Sequence, residues 1–166
     1  MTGPNFVYVS YIRTTPEKLW QALTQSAFTR QYWFGHAVES DWKPGSAIRF
    51  FAAGKCDVQG EVLASDPYRR LAYSWRVDFD EALRNEEPSR VSFDLEPVGP
   101  EVKLTVIHDQ FGAGSKVYPG ISNGWPMVLA SLKSLLETGE PLAATSEAAL
   151  CAARQRSLDL ARATAA

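Results

Sequence analysis

The feature that most constrains this chain is one long amphipathic helix that follows all of the predicted strands. From Trp125 to Glu137 apolar side chains recur at helical spacing, and Ile121 extends the same stripe by one turn. Such a wide apolar face must pack on another apolar surface, and the alternating segments before the helix supply the candidate sheet. A sheet that curls around one helix can enclose a pocket, so we expect a binding cavity before a catalytic centre.

The segments before that helix alternate apolar and polar residues, as do the strands of an antiparallel sheet with one wet face. Short turns between consecutive strands favour a meander. The expected fold is therefore α+β, a helix-grip in which a curved antiparallel sheet of six to seven strands wraps around the long helix. The predicted strands are residues 5–13, 37–42, 47–52, 58–65, 71–77, 89–96 and 102–109.

Two short helices are predicted after the first strand. Thr15 caps the first, with Pro16 in its first turn, and Ser26 caps the second. The long helix is predicted to begin at Ser122 or Asn123, which places Pro126 in its first turn. A start near residue 115 instead leaves that proline inside the helix, where it introduces a kink.

After Gly139 the sequence becomes rich in alanine and keeps only a thin apolar face. It has helical propensity, and we expect it to pack weakly, to take part in an oligomer contact or to fray. The predicted organisation is a helix-grip domain at residues 1–140 and an Ala-rich helical extension at residues 141–166.

Composition excludes several classes of function. The net charge is −2 and the basic residues form no stripe, which argues against a nucleic-acid partner. No apolar run approaches the ~20 residues of a membrane span, and the N-terminus lacks the pattern of a secretory signal. Cys56 and Cys151 are isolated, so a reducing, cytoplasmic location is the simplest interpretation. Dinucleotide, phosphate-loop and zinc motifs are absent, so no cofactor or metal is expected.

Aromatic side chains on the predicted inner faces are the candidate walls of the pocket. As a set they would hold an apolar ligand by stacking and burial, although any single one more often only fills a core. The predicted cavity residues are Trp33, Phe34, Trp42, Phe50, Tyr73, Trp75, Phe93, His108, Trp125 and Leu129.

His108 is the titratable member of that set. It shares its strand face with Leu104 and Val106, so its ring is expected to point inward near the long helix. It could anchor the polar group of a ligand or transfer a proton, but we favour a buried neutral histidine bonded to backbone or to a tyrosine. Asp109 lies on the opposite strand face and forms no dyad with it. His36 falls in a predicted turn and is expected to be exposed.

Residues 120–124 match Gly-x-Ser-x-Gly, the motif of a serine nucleophile. That motif follows a strand and precedes its histidine, whereas both histidines of this chain lie upstream. A helix start explains the glycines, and inward carboxylates that would pair as acid and base are scarce. Ser122 is therefore expected to be structural, and no catalytic residue is assigned.

Several motifs, in this order, resemble the activator of Hsp90 ATPase homologue-like family of the START-like, Bet v 1-like superfamily, also called SRPBCC. The resemblance implies a helix-grip fold and a cavity for hydrophobic or amphipathic molecules such as lipids, sterols or polyketides, and a histidine commonly stands at the position of His108. Eukaryotic activators carry an additional N-terminal domain for much of the chaperone binding, so a chaperone partner is not favoured here. The motifs, within residues 6–142, are FVYVSYIRTTPEKLWQALT, RQYWFG, LAYSWR, HDQF and GWPMVLASLKSLLETG.

Three functions stay open. The first is a cytoplasmic, cofactor-free protein that binds a small hydrophobic or amphipathic molecule between sheet and helix, in a stress or regulatory context that the resemblance suggests. The second is a cyclase, dehydratase or hydrolase that uses the same cavity with His108 and a tyrosine. The third is an interaction module, either a chaperone co-factor or the partner of a regulator. A homodimer through the sheet edge or the Ala-rich extension is compatible with the sequence.

Overall fold

The alternating segments form one seven-stranded antiparallel sheet in the computed structural model, which describes residues 3–165. The strands are β1 (Phe6–Ile12), β2 (Ala37–Ser40), β3 (Ala47–Ala52), β4 (Lys55–Asp66), β5 (Arg70–Val77), β6 (Ser89–Val98) and β7 (Glu101–Asp109). Their order in the sheet is β1-β7-β6-β5-β4-β3-β2. Strands β2 to β7 thus form the predicted meander, and β1 extends it by pairing with β7.

Five α-helices within residues 3–165 accompany the sheet. The two short helices, the long helix and the C-terminal helix follow the predicted order, and a one-turn helix between the fifth and sixth strands is additional. The five helices are α1 (Pro16–Thr24), α2 (Ser26–Tyr32), α3 (Glu81–Arg84), α4 (Tyr118–Thr138) and α5 (Leu150–Ala165). None of the helices within residues 3–165 is long and apolar enough to cross a membrane. The helix-grip prediction is confirmed, with α4 as the long helix that the sheet surrounds.

The sheet curves where the regular pairing of β4 with its two neighbouring strands is interrupted. The register between β3 and β4 shifts at Phe50 and Phe51, and that between β4 and β5 shifts between Val62 and Ala64. Such irregularities bend a strand and increase its twist. On the concave face the apolar side chains predicted from the period-2 pattern are buried, as Val106 of β7 shows.

The first helix cap follows the prediction and the second does not. The Thr15 hydroxyl accepts a hydrogen bond from the backbone N–H of Lys18 at 3.2 Å. Helix α2 begins at Ser26 itself, and Gln25 takes the cap position without a side-chain bond. The reason is that a single residue separates the two helices, so Gln25 has to end α1 and start α2 at once.

The long helix begins earlier than Ser122 or Asn123, so that prediction is wrong. Helix α4 starts at Tyr118 with a proline in its first turn, and Pro126 lies in its interior. The Ser115 hydroxyl accepts hydrogen bonds from the backbone N–H groups of Val117 and Tyr118, both at 3.2 Å. Free amides at the helix start are thus satisfied from upstream, which removes the need for a cap at Ser122.

Residues 143–165 are fixed to the rest of the molecule at several points, so the expectation of weak packing is wrong. The backbone N–H of Phe34 donates to the carbonyl of the fully buried Thr145 at 2.8 Å. Helix α5 then lies on α4 where Gly120 leaves space, since a Cβ there would stand 3.0 Å from the Ser157 hydroxyl oxygen. An ion pair described below, rather than a wide apolar face, completes the docking.

Candidate ligand-binding cavity

A cavity of about 130 Å³ lies between the concave face of the sheet, α4 and α5. Its walls are mainly apolar. An empty apolar cavity of roughly 150 Å³ is large enough to bind benzene, so this one has the size of a single-ring molecule. Helix α5 contributes Leu150, Ala153, Arg154, Arg156 and Ser157 to its lining.

Five of the predicted cavity residues line this space, namely Trp33, Phe34, Phe50, Trp75 and Trp125. The Trp33 ring is central, because its centroid lies 4.9 Å from that of Phe50 and 5.4 Å from that of Trp125. Phe34 reaches its place through a positive backbone φ of 54°, immediately before Gly35 at φ 80°. Tight aromatic packing on three sides makes a rigid wall that is suited to a flat apolar molecule.

The other five predicted residues lie outside the lining. Tyr73, Phe93, Leu129 and His108 are buried in the core behind it. Trp42 is half-buried and borders a separate surface depression. Burial raises the pKa of Tyr73 well above its ordinary value, so this phenol stays neutral.

One polar atom of a cavity-lining residue has no partner within residues 3–165. The Trp75 indole Nε1 is buried and forms no hydrogen bond with any of residues 3–165. Trp75 itself is 8% exposed and lines the cavity. Buried indole N–H groups are normally paired, because an unmet donor costs on the order of 1–3 kcal/mol. This N–H is therefore an unpaired donor on a side chain that lines the cavity.

His108 is held by two side chains in the core. The Trp125 indole Nε1 donates to its Nδ1 at 3.0 Å, and its Nε2 lies 2.8 Å from the Ser89 hydroxyl. Since an indole only donates, the proton of the neutral ring sits on Nε2 and is donated to Ser89. The ring has no free lone pair with which to take a proton from Ser89. The favoured prediction of a buried neutral histidine agrees with this geometry, although serine and tryptophan are its partners instead of backbone or tyrosine.

Burial lowers the pKa of His108 from 6.5 to about 3. The unfolded chain therefore binds a proton at this residue below pH 6.5 that the folded protein does not, and stability falls as the pH is lowered from 6.5 towards 3. We expect a loss of about 2 kcal/mol in the free energy of unfolding between pH 6.5 and pH 4.5 from this residue alone. Urea unfolding of the wild type and of His108→Gln across this range measures it. Equal pH dependence in the two proteins would contradict the assignment.

His36 is buried and not exposed, so that prediction is wrong. Its Nδ1 lies 2.6 Å from the Trp33 carbonyl oxygen, and its Nε2 lies 2.8 Å from Oδ2 of Asp57. Both ring nitrogens thus face acceptor oxygens, one of a backbone carbonyl and one of a carboxylate. The turn at Gly35 is itself covered, because residues 145–147 of the docked C-terminal segment lie against Phe34 and Gly35.

Asp57 joins this histidine to α5. Its carboxylate accepts from Arg154 Nε at 3.0 Å and from Arg154 Nη2 at 2.8 Å, while Asp57 itself is only 2% exposed. A bidentate pair of this kind fixes both distance and orientation. Sequence analysis missed the group entirely, since its three members are far apart in the chain. His36, Asp57 and Arg154 all line the cavity.

The Gly-x-Ser-x-Gly motif has no role as a nucleophile elbow. Residues 120–124 all lie inside α4 and not at a turn from strand to helix. Ser122 does not line the cavity, and its buried hydroxyl has no partner within residues 3–165. The structure gives no account of that unpaired hydroxyl.

Comparison with known proteins identifies the family of this chain. The model of a family described as activator of Hsp90 ATPase homolog 1-like protein matches residues 13–137, which is more than half of the chain. The chain belongs to the activator of Hsp90 ATPase homolog 1-like family. No curated protein matches the sequence. As a family member it has the START-like helix-grip fold, and helix α5 lies beyond the matched residues.

Solved structures agree with the family assignment. Protein MLL2253 from Mesorhizobium loti is 29% identical, with a TM-score of 0.69, and the match covers 80% of this chain and 96% of that one. The Aha1 dimer from Colwellia psychrerythraea is 24% identical, with a TM-score of 0.67 over 82% and 98% of the two chains. CalU16 from Micromonospora echinospora is 19% identical, with a TM-score of 0.65 over 98% and 89%. The last two identities show a shared fold only.

Proposed function

We propose that this family member binds a small apolar molecule in the cavity between the sheet, α4 and α5. The observation that carries the proposal is the aromatic cavity of about 130 Å³, one of whose lining residues, Trp75, has an unpaired indole N–H. Pockets of this kind, mainly apolar with a few polar groups, are typical small-molecule sites. We place this activity in the cytoplasm, which the free thiols of Cys56 and Cys151 support.

The cavity size sets the affinity to expect. A ligand of about seven non-hydrogen atoms that gains ~1 kcal/mol per atom binds with a Kd on the order of 10 µM. Toluene has this size and no polar group, so it tests the apolar cavity alone. Since Trp33, Trp75 and Trp125 line the space, binding should change the tryptophan fluorescence.

Filling the cavity from α4 should weaken binding. Gly124 lines the cavity, and a Cβ added there meets no atom within 4 Å. We expect Gly124→Leu to weaken toluene binding by at least ~10-fold, because its side chain occupies the ligand volume. The variant should remain folded, since replacing a helical glycine generally favours the helix by ~0.5–1 kcal/mol. Calorimetric titration with toluene measures the affinity.

Gly124→Ala is the matched control. Its single methyl group leaves most of the cavity open, so toluene should still bind. If the wild type binds toluene and Gly124→Leu binds it equally well, the ligand site lies elsewhere. If the wild type binds neither toluene nor any other single-ring molecule, the proposal fails.

A second candidate function is interaction with an Hsp90-type chaperone, supported by the family to which the chain belongs. Strand β1 is at the sheet edge and exposes a row of apolar side chains, with Val7 59%, Val9 46% and Tyr11 53% exposed. Rows of exposed apolar residues commonly mark protein contacts. To separate this function from ligand binding, we would measure the ATPase rate of an Hsp90-type chaperone. The rate is measured once with an excess of this chain and once with an excess of its Val9→Lys variant. The same row could instead hold a second copy of the chain, which light scattering would show as a dimer mass.

A further inference from the structure

We propose that the ligand of this cavity carries a negative charge, and that the site takes a single-ring carboxylate or a comparable small aromatic anion. The inference rests on the proposed function and adds the chemical class of the molecule. It comes from the charges and hydrogen-bonding groups that line the cavity.

The charged lining is mainly basic. Lys116, Arg154 and Arg156 line the cavity, whereas Asp57 is the one carboxylate among the lining residues that the structure describes. Asp57 is already neutralised, because Arg154 binds both of its oxygens and His36 binds one of them. Two cations, Lys116 and Arg156, remain without a carboxylate of the lining. This excess is notable in a chain whose net charge is −2.

The hydrogen-bonding groups left free are donors. Lys116 forms no side-chain hydrogen bond or ion pair within residues 3–165, and the Trp75 indole N–H has no partner there either. The carboxylate and amide acceptors of the lining are occupied, since Asp57 accepts three bonds and Asn123 Oδ1 accepts from Arg156 Nε at 3.1 Å. The Ser157 hydroxyl, which can donate as well as accept, also lines the cavity. A ligand with acceptor oxygens therefore complements this lining better than one with donors.

A ligand carboxylate near Lys116 would supply both the negative charge and the acceptor oxygens that complement this lining. Glu86 is an acidic residue bound to the backbone at Lys116, and its two oxygens are held by the Ser115 hydroxyl and the Lys116 backbone N–H, each at 2.6 Å. It is not part of the lining, and its carboxylate makes no ion pair with the lysine ammonium. The ammonium is therefore available to an anion whose ring lies among the tryptophans.

Three probes of one shape and different charge test the proposal. Benzoate, benzamide and benzylamine are titrated into the full chain by calorimetry at pH 7, where a carboxylate is ionised. We expect benzoate to bind about tenfold more tightly than benzamide, because bonds to charged groups are the stronger ones, and benzylamine to bind most weakly. If toluene or benzamide binds and benzoate binds no better, this inference fails and the proposed function stands. If no probe binds, both fail.

Substitutions of single residues test where the carboxylate of benzoate binds. Lys116→Met should bring the ratio of benzoate to benzamide affinity close to one, and Lys116→Arg should restore it. Trp75→Phe removes the indole donor but keeps an aromatic ring, so it should lower the same ratio. Lys43→Met removes an equal charge from an exposed turn and should leave the ratio as in the wild type. An unchanged ratio in Lys116→Met would overturn the assignment of this lysine.

Discussion

Replacing Asp57 with alanine is expected to lower the free energy of unfolding by about 3 kcal/mol and to release α5 from the cavity. The carboxylate is 2% exposed and receives His36 at 2.8 Å and Arg154 at 2.8 and 3.0 Å. Removing it leaves two basic groups in a poorly solvated place without their counter-ion. The cost falls at the lower end of the usual 3–5 kcal/mol range, because the Arg154 side chain is 21% exposed and can turn towards water.

Urea unfolding measures the stability, and hydrogen exchange of residues 150–165 reports the release of α5. Asp66→Ala is the matched control, since it removes an exposed carboxylate at the end of the same strand. That control should change the stability by less than ~0.5 kcal/mol. A loss below ~1 kcal/mol in Asp57→Ala, with unchanged exchange in α5, would show that the ion pair does not hold the helix.

Replacing Trp125 with alanine should cost about 3–5 kcal/mol, the range for removing a large buried aromatic side chain. The Trp125 ring is 3% exposed and contacts Trp33, Trp75 and Phe93 at centroid distances of 5.4 to 5.9 Å. Its loss also leaves Nδ1 of His108 without a donor. The same substitution removes one aromatic wall of the cavity, so affinity for a single-ring ligand should fall through the loss of its contacts with that ring while the protein is still folded.

Two further variants distinguish the hydrogen bond of Trp125 to His108 from the general effect of removing an indole. Trp125→Phe keeps most of the ring and loses the hydrogen bond to His108, so we expect about 1–3 kcal/mol from the unsatisfied acceptor. Trp42→Ala removes an indole that is half-buried and lies outside the cavity, and it should cost less than Trp125→Ala and leave ligand affinity unchanged. If Trp42→Ala were the more damaging of the two, the assignment of the cavity to the α4 side of the sheet would be wrong.

The fold was predictable because its pattern is local. The alternation of apolar and polar residues predicts the buried face of each strand. The apolar stripe that includes Ile121 and Trp125 predicts the buried face of α4. The cavity was predictable only in part. Tyr73 and Trp75 point to the same side of β5, yet Trp75 lines the cavity and Tyr73 lies in the core. Alternation determines the face of a sheet, whereas distance from the covering helices determines which side chains meet empty space.

The polar group at the cavity could not be predicted from the sequence. His36, Asp57 and Arg154 belong to a turn, a strand and an Ala-rich tail, and each has an ordinary local context. Thin apolar faces predict weak packing only when no buried charge is available as a partner. Here a single arginine, 97 positions from its carboxylate, compensates for the missing apolar contacts. The start of α4 shows a similar effect, since the amides near Tyr118 are satisfied by Ser115 upstream of the helix.

The position of α5 also bears on how long a bound molecule stays. Five α5 residues form one wall of the cavity, and Arg154 holds that wall to the sheet. A ligand that leaves through this wall leaves no faster than the helix detaches, whatever its own affinity, so chemically different ligands would share one upper limit to their dissociation rate. Because α5 lies beyond the residues that the family model matches, this residence time is set by a segment outside that model.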